Sequence, residues 1–285
     1  MKLPEKQRSY SMNNPSTLVS KYFRTGNLPH IWCPGCSHGI VTRALVKAID
    51  ELELDKNNTV IVSGIGCSSR APGYLDFNTV HTTHGRALAF ATGIKLSHPH
   101  LKVIVITGDG DASAIGGNHL IHACRRNIDL TVLVYNNNIY GMTGGQYSPT
   151  TPENKYGTTA PYGNIDTPFD ICELTKGAGA TYIARATAFH THNLIKYIKK
   201  GIEHKGLSVI DAITACPTYY GRKNKVGSAP QMMRWMQDTF VDHKAYERLP
   251  EEKREGKRIM GEFTEIERPE YTDLYEALIE RVREK

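Results

Sequence analysis

Five short runs of apolar, mostly β-branched residues recur along the chain and constrain its fold more than any other feature. The runs do not alternate with polar residues, and between them apolar residues recur at helical spacings of three and four. Such strands, alternating with helices, predict a mostly parallel sheet with helices on both faces, a doubly wound α/β fold that binds ligands beyond the carboxyl ends of its strands. The predicted strands are Thr59–Ser63, Val103–Thr107, Leu130–Tyr135, Thr181–Ala184 and Leu207–Ala212.

Helices, a long loop and the two ends fill the rest of the chain. Residues 136–166 form a segment rich in Gly, Pro, Thr, Tyr and Asn, and a loop of this length in a compact domain is usually functional or disordered. We expect residues 1–221 to form one domain with an irregular N-terminal arm at about 1–27. Residues 222–285 are predicted to form a helical extension without a strand, packed on this domain or on a partner subunit. The predicted helices cover residues 40–52, 84–97, 113–126, 169–177 and 190–200.

Composition and charge argue against several functional classes. No run approaches the roughly 18 apolar residues of a membrane-spanning helix, and the polar start lacks the apolar core of a secretory signal. We therefore expect a cytoplasmic protein that does not bind membranes. The net charge of +6 is spread along the chain, so nucleic acid is not indicated. Six cysteines in 285 residues are too few for a disulfide scaffold and favour metal binding or catalysis.

Oxygen ligands follow two successive predicted strands. Asp109 lies in a Gly-Asp-Gly turn after one strand, and Asn137, 28 positions later, follows the next. Parallel neighbours would place both side chains at one edge of the sheet, where magnesium could bind them and take its remaining ligands from phosphate oxygens. The glycines allow phosphates to approach the backbone, and the helix that follows can present its amide groups to them. Each motif alone is typical of an ordinary turn, but their separation makes the pair informative.

Four cysteines could converge at the same edge of the sheet. Cys33 and Cys36 form a C-x-x-C motif, Cys67 follows the first predicted strand, and Cys216 follows the last. On geometry alone, four thiolates suit zinc and an iron–sulfur cluster equally well.

In these motifs the sequence resembles the thiamine diphosphate enzymes, which carry Gly-Asp-Gly and then Asn-Asn at about this separation. The stretches HGRALAFATGIKL, GDGDASAIGGNH and YNNNIYGMTGGQ, between His84 and Gln146, look specifically like the β subunit of 2-oxoacid:ferredoxin oxidoreductases, in particular the 2-oxoglutarate type. The resemblance runs from about Trp32 to about Gly221 and so covers most of the chain.

The resemblance implies a role for each part of the site. Asp109 and Asn137 would bind Mg²⁺ through their side chains, and Ile139 through its carbonyl oxygen. It also implies one 4Fe-4S cluster, rather than zinc, on Cys33, Cys36, Cys67 and Cys216. The residues expected to bind thiamine diphosphate are Ile65, Gly66, Ser68, His84, Gly85, Gly108, Gly110, Asp111, Gly141, Met142 and Thr143.

The resemblance further implies a reaction and its partners. The family oxidises and decarboxylates a 2-oxoacid, transfers the acyl group to coenzyme A, and passes electrons through the cluster to ferredoxin; enzymes of this type also run in reverse. The best candidate reaction here is 2-oxoglutarate to succinyl-CoA. In this class a Glu on a second α/β module activates the pyrimidine ring of thiamine, and we find only one cofactor-binding module in this chain. We therefore expect an α subunit to supply that module.

Arg70 and His84 are the candidate catalytic residues. A guanidinium can pair bidentately with a carboxylate, so Arg70, three positions after Cys67, is expected to attract the substrate carboxylate. The alternative is that Arg70 forms a surface or interface salt bridge. His84 is expected to contact the diphosphate region, whereas His81, on the other side of the same turn, has no assigned role.

The other candidate metal ligands are expected to be ordinary residues. His119 and His122 lie three apart on a predicted helix and could bind zinc, but a role in helix packing is the better expectation. Cys124 and Cys172 match no ligand position and are expected to be small buried hydrophobic residues.

Two other functions remain open. A non-redox thiamine diphosphate-dependent decarboxylase or carboligase needs Asp109 and Asn137 without the four cysteines. A zinc-stapled, non-enzymatic α/β protein needs the cysteines without that pair. Because the chain carries both sets, the sequence favours the redox enzyme.

Overall fold

The computed structural model describes residues 17–284 and contains the predicted sheet. In chain order the strands are β1 (Thr59–Ser63), β2 (Asn78–His81), β3 (Lys102–Gly108), β4 (Thr131–Asn136), β5 (Ile139–Tyr140), β6 (Gln146–Tyr147), β7 (Tyr182–Thr187), β8 (Ser208–Ile213), β9 (Phe240–Asp242) and β10 (Arg258–Glu265). Eight of them form one sheet in the order β2-β1-β3-β4-β8-β7-β10-β9. All five predicted strands are present in it.

The helices connect and cover these strands. In chain order they are α1 (Thr17–Tyr22), α2 (His38–Glu51), α3 (Ala71–Tyr74), α4 (Ala87–Ser97), α5 (Gly117–Arg126), α6 (Ile171–Gly177), α7 (Thr191–Glu203), α8 (Ala229–Thr239), α9 (His243–Arg248) and α10 (Tyr271–Arg283). Within residues 17–284, none of these helices combines the length and apolar character needed to cross a bilayer.

The pairing confirms the doubly wound, mostly parallel architecture. Strands β2, β1, β3, β4, β8 and β7 run parallel to their neighbours, and β10 then pairs antiparallel to β7. Because β3 and β4 are adjacent, the residues that follow them meet at one edge. Strands β1 and β8 flank this pair, so the segments that carry Cys67 and Cys216 emerge on either side of it.

The continuous apolar strands are explained by two cores, one on each face of the sheet. Along β3, Ile104 and Ile106 belong to the core that also includes residues of α2 and α7. Val103 and Val105 point to the opposite core, which includes residues of α4, α5 and α6. Neighbouring side chains of a strand point to opposite faces, so a strand covered on both sides needs no polar position.

Several elements differ from the sequence predictions in their details. Strand β2 was not predicted because its sequence, Asn-Thr-Val-His, is polar and lies at an edge of the sheet. The helix predicted over residues 113–126 is preceded by a π-helical turn, Asp111–Ile115, and regular helix begins only at Gly117. Residues 136–166 contain the small antiparallel hairpin β5–β6.

The prediction of a strand-free C-terminal extension is wrong, because residues 222–285 contribute β9 and β10. Strand β10 was missed because its sequence, RIMGEFTE, is charged, and its pairing with β7 is interrupted by a register shift between Glu262 and Thr264. The extension is attached to the rest of the domain through Asn127, whose side-chain amide donates to the carbonyl oxygens of Arg268 (3.2 Å) and Pro269 (3.3 Å). Of the predicted N-terminal arm, residues 1–16 lie outside the described range, and α1 occupies residues 17–22.

Candidate active site

One cavity at the carboxyl edge of the sheet gathers nearly all the predicted cofactor ligands. Every residue expected to bind magnesium or thiamine diphosphate lines it, except Gly85. Cys67, His38, Tyr135 and Tyr140 complete the lining. The chain therefore brings together, from four separate loops, residues that the sequence places up to 78 positions apart, from Ile65 to Thr143.

Asp109 and Asn137 lie side by side at the floor of this cavity. The backbone N–H of Asn137 donates to Oδ1 of Asp109 at 3.4 Å. The hydroxyls of Ser148 and Thr150 donate to Oδ2 at 2.5 Å and 2.7 Å, and orient the carboxylate. Burial raises the pKa of Asp109 to about 6, while these two hydroxyls oppose the rise. A divalent cation would favour the charged form, because an opposite charge stabilises a buried carboxylate.

The three consecutive asparagines at the end of β4 point their side chains in different directions. The Oδ1 atom of Asn137 accepts the backbone N–H of Ile139 at 3.2 Å, which folds the chain so that both residues face the cavity. Asn136 turns away, and its amide donates to Oδ1 of the buried Asp211 at 3.1 Å. Asn138 has the left-handed backbone conformation, with φ of 60°, which asparagine tolerates well.

Asp111 holds three loops of the cavity together. Its Oδ1 accepts the backbone N–H groups of Gly85 at 2.7 Å and Ile65 at 3.4 Å, and its Oδ2 accepts the hydroxyl of Thr107 at 2.8 Å. Nδ1 of His84 lies 2.5 Å from the same Oδ1, although the angle is not that of a hydrogen bond. Most of the bonding capacity of Asp111 is thus satisfied within the protein, so it positions His84 and Gly85 around the cavity.

Close packing explains the glycine at position 110, and Gly141 connects the cavity to two cysteines. A Cβ atom at Gly110 would lie 2.3 Å from Cζ of Tyr140, whose hydroxyl donates to the carbonyl oxygen of Gly110 at 2.9 Å. A Cβ atom at Gly141 would lie 3.4 Å from the sulfur of Cys67 and 3.8 Å from that of Cys216. Gly141 therefore lines the cavity that contains Asp109 and Asn137 and also lies beside two of the predicted cluster cysteines.

The four predicted cluster cysteines are neighbours in the structure. Burial raises the pKa of the Cys36 thiol to about 12, and the charges of Cys216, Cys67 and Cys33 add to the rise. Burial likewise raises the pKa of Cys67 to about 11, with Cys216 and Cys33 contributing and Arg70 opposing. Cys33 is exposed, whereas Cys216 is buried. All four thiols are free and lie near one another.

Cys124 and Cys172 are separate from this group. Both are buried in the core of the face that includes α5 and α6, as the sequence predicted. Within residues 17–284, no set of three or more His, Cys, Asp or Glu side chains is arranged to hold a metal ion, and this includes Cys33, Cys36, Cys67 and Cys216.

Arg70 lies at the edge of the cavity rather than in its lining. Its Nη2 is 3.7 Å from the sulfur of Met142, a lining residue, and its side chain is exposed. Within residues 17–284 it forms no ion pair with a carboxylate, so the alternative of a salt bridge inside the described chain is not realised.

Sequence reasoning did not assign roles to three residues that the structure places at the site. Ser148 and Thr150 orient Asp109, and the only pointer to them was that the loop carrying them is long. The ring of His38 lines the cavity, is fully buried, and has no hydrogen-bond partner for either nitrogen. In the sequence, the indication that His38 belongs to the site was its position two residues after Cys36.

Comparison with known proteins agrees with this fold and site. Residues 64–212 match the family described as thiamine pyrophosphate enzyme, C-terminal TPP binding domain. The matched segment begins directly after β1 and includes β3 and β4 with the loops that carry Asp109 and Asn137. The fold and the site thus define an α/β protein of the thiamine diphosphate-binding class.

More specific relatives cover nearly the whole chain. The 2-oxoglutarate synthase subunit KorB of Methanothermobacter marburgensis is 52% identical over 269 residues, which are 94% of this chain and 94% of that protein. KorB of Methanocaldococcus jannaschii is 52% identical over 263 residues, 92% of this chain and 97% of that one. The chain belongs to the family of 2-oxoacid:ferredoxin oxidoreductase β subunits of the 2-oxoglutarate type.

A solved structure extends the similarity to three dimensions. A 2-oxoglutarate:ferredoxin oxidoreductase from Magnetococcus marinus, with 2-oxoglutarate, coenzyme A and succinyl-CoA bound, superimposes with a TM-score of 0.82 at 32% identity. The superposition covers 96% of this chain and 92% of that one, so it includes the C-terminal extension.

Proposed function

We propose that this chain is the cofactor-binding subunit of a cytoplasmic enzyme that oxidises 2-oxoglutarate to succinyl-CoA and passes the electrons to ferredoxin. The observation that carries the proposal is one cavity lined by Asp109, Asn137 and Cys67, with the sulfurs of Cys67 and Cys216 both beside Gly141, which lines the same cavity. This arrangement suits a reaction in which electrons leave an organic cofactor for a metal cluster.

Asp109, Asn137 and the carbonyl oxygen of Ile139 would hold Mg²⁺, and the diphosphate would fill its remaining positions. The hydroxyls of Ser148 and Thr150 keep Asp109 oriented for this role. Gly110 has no side chain, which allows the ring of Tyr140 to pack against its backbone. When bound, thiamine diphosphate supplies the nucleophilic carbon that attacks the keto group of an oxoacid.

The four cysteines would hold one 4Fe-4S cluster beside this site. Cys33, the exposed ligand, would face the electron acceptor. Next to it the segment 217–229 packs on the C-x-x-C turn, since a Cβ atom at Gly35 would lie 2.4 Å from Cβ of Ala229 and 3.5 Å from Cγ of Pro217. This segment carries three exposed cations without a carboxylate partner in the described chain, Arg222, Lys223 and Lys225. An acidic carrier such as ferredoxin fits this surface.

Arg70 would select the substrate. Its exposed, unpaired guanidinium at the edge of the cavity is placed to attract the distal carboxylate of a dicarboxylic oxoacid. An uncharged substrate side chain would gain nothing from it, which favours 2-oxoglutarate over pyruvate.

The partner would be an α subunit that carries the pyrimidine-binding module. Among the described residues that line the cavity, the acidic ones are Asp109 and Asp111, and both already accept hydrogen bonds within the protein. No glutamate lines the cavity within residues 17–284, so the carboxylate that activates the pyrimidine would come from the partner.

The test is to purify this chain with its α subunit under anaerobic conditions and record the visible spectrum while single oxoacids are added with coenzyme A. We expect bleaching of the cluster absorbance with 2-oxoglutarate and coenzyme A, and succinyl-CoA as the product. A cofactor-loaded complex that releases carbon dioxide without bleaching would identify the non-redox decarboxylase instead. A complex that contains zinc and no iron would identify the stapled, non-enzymatic protein.

A further inference from the structure

The side chain of His38 is buried in the wall of the cavity without a partner. Its exposed fraction is 1%, and neither Nδ1 nor Nε2 forms a hydrogen bond. Buried polar groups are nearly always satisfied, because leaving one unpaired forfeits the hydrogen bonds that water would provide. Since the ring lines the same cavity as Cys67 and Asp109, its missing partner is best sought in a group bound there.

Two aromatic side chains hold the ring in place and cannot satisfy it themselves. Trp32 packs edge-on at 6.0 Å between ring centroids, and Tyr135 does so at 5.2 Å. The indole N–H of Trp32 donates to the carbonyl oxygen of Cys67 at 2.7 Å, and the hydroxyl of Tyr135 is paired with that of Thr42 at 3.0 Å. The polar atoms of both neighbours are thus engaged elsewhere.

The backbone of His38 is tied to the cysteine side of the cavity. Its N–H lies close enough to the sulfur of Cys36 to lower the pKa of that thiol. The preceding Ser37 accepts the backbone N–H of Ala215 through its hydroxyl at 2.7 Å, which fixes this turn to the residue before Cys216. On the diphosphate side, by contrast, the carboxylate of Asp109 already accepts hydrogen bonds from Asn137, Ser148 and Thr150.

We propose that the imidazole of His38 donates a hydrogen bond to a sulfur of the 4Fe-4S cluster and thereby raises the cluster's reduction potential. The inference extends the proposed function, because it requires the cluster on the four cysteines. A neutral imidazole has one N–H donor, and hydrogen bonds to the sulfurs of a cluster stabilise its reduced, more negative form. His38 acts here as a positioning residue that tunes the cluster and takes no part in bond making.

The experiment compares His38→Leu, which removes the donor, with His38→Gln, which keeps an N–H group, in the complete anaerobic complex. Iron and sulfide analysis first establishes that the cluster is present. We expect His38→Leu to lower the reduced-to-oxidised ratio at a fixed solution potential about tenfold, a shift of about 59 mV for a one-electron couple. His38→Gln should recover part of this shift. Thr175→Val, which removes a buried hydroxyl that bonds only the backbone of α6, is the control and should leave the potential unchanged.

An intact cluster with an unchanged potential in His38→Leu would overturn the proposal. Weaker thiamine diphosphate binding at an unchanged potential would overturn it too, by assigning the ring to the organic cofactor. If His38→Leu does not retain its cluster, the unsubstituted complex labelled with histidine that carries ¹⁵N only in the imidazole ring provides the test by pulsed EPR of the reduced cluster. A histidine ¹⁵N coupling that His84→Gln does not remove supports the proposal, and no coupling overturns it. A wild-type complex without iron would overturn the proposed function itself, and this inference with it.

Discussion

The two halves of the candidate site are built in opposite ways. In the oxygen half, defined here as Asp109, Asn137, Ser148 and Thr150, the protein's own hydrogen bonds fix the carboxylate before any ligand binds. In the cysteine half, defined as Cys33, Cys36, Cys67 and Cys216, the thiols come from three separate segments. The difference favours a proposed magnesium site that the sheet preorganises and a cysteine half that a bound cluster would tie together.

The largest expected effect follows from removing one thiol of the cysteine half. We predict that Cys216→Ala abolishes cluster binding and oxoacid oxidation, because a buried ligand from the segment that follows β8 cannot be replaced from another segment. Thiamine diphosphate binding should persist, since the oxygen half does not depend on that thiol. Iron analysis, activity and calorimetry of cofactor binding measure the three quantities.

Cys124→Ala is the matched control, since it removes a buried thiol from the opposite core. It should keep its iron. A Cys216→Ala complex with full iron content would show that the cysteine half does not need Cys216 to bind the cluster.

The next effect concerns the charge at the centre of the oxygen half. Asp109→Asn keeps the shape of the side chain and removes its charge, so Mg²⁺-dependent binding of thiamine diphosphate should weaken by roughly a hundredfold or more, as expected for the loss of one partner of a buried ion pair. Iron content should stay the same. Titration of the complex with Mg²⁺ and the cofactor measures the change, and Asp76→Asn, an exposed carboxylate, is the control. Equal affinity for Mg²⁺ and thiamine diphosphate in the variant and the wild type would show that Asp109 is not a magnesium ligand.

A smaller effect is expected from the hydroxyls that orient Asp109. Replacing Ser148 with Ala and Thr150 with Val should weaken Mg²⁺ affinity about tenfold to a hundredfold, because groups that orient a metal ligand typically contribute this much. Thr158→Val, in the same long loop, removes a hydroxyl that bonds only the backbone of Gly144 and should have no effect. The same titration distinguishes these variants. No loss in the double variant would mean that the oxygen half is not preorganised.

The smallest effect is expected outside both halves, at Arg70. Arg70→Met should raise the apparent KM for 2-oxoglutarate roughly twofold to fivefold, because an exposed ion pair contributes little. The KM for pyruvate should not change. Arg43→Met, another exposed arginine, is the control in the same steady-state assay. Equal increases in the apparent KM for both oxoacids would show that Arg70 does not recognise the distal carboxylate.

The fold was largely predictable because its central strands are covered on both faces. Runs such as Thr59–Ser63 can only be buried strands, and the alternation with helices fixes a parallel sheet. The edge elements were not predictable in the same way. β2 and β10 keep polar side chains because each has a face or an edge in contact with solvent, so their sequences carry no clear period.

The site was predictable where its residues follow strands and less so where they lie in loops. Asp109 and Asn137 follow β3 and β4, and parallel pairing places them together without knowledge of any loop. Ser148 and Thr150 reach Asp109 only because the long loop folds back, which depends on contacts such as the bond from the Thr151 hydroxyl to the carbonyl of Asn138 at 2.6 Å. No local pattern in the sequence encodes such a contact.

The exposure of Cys33 has a consequence for the lifetime of the enzyme outside an anaerobic environment. A cluster held by this exposed cysteine would be open at that corner to dioxygen as well as to a protein carrier, since dioxygen is far smaller than any carrier. Oxidative damage should therefore begin at this corner rather than at the buried Cys216, and a docked electron carrier should shield the cluster from air.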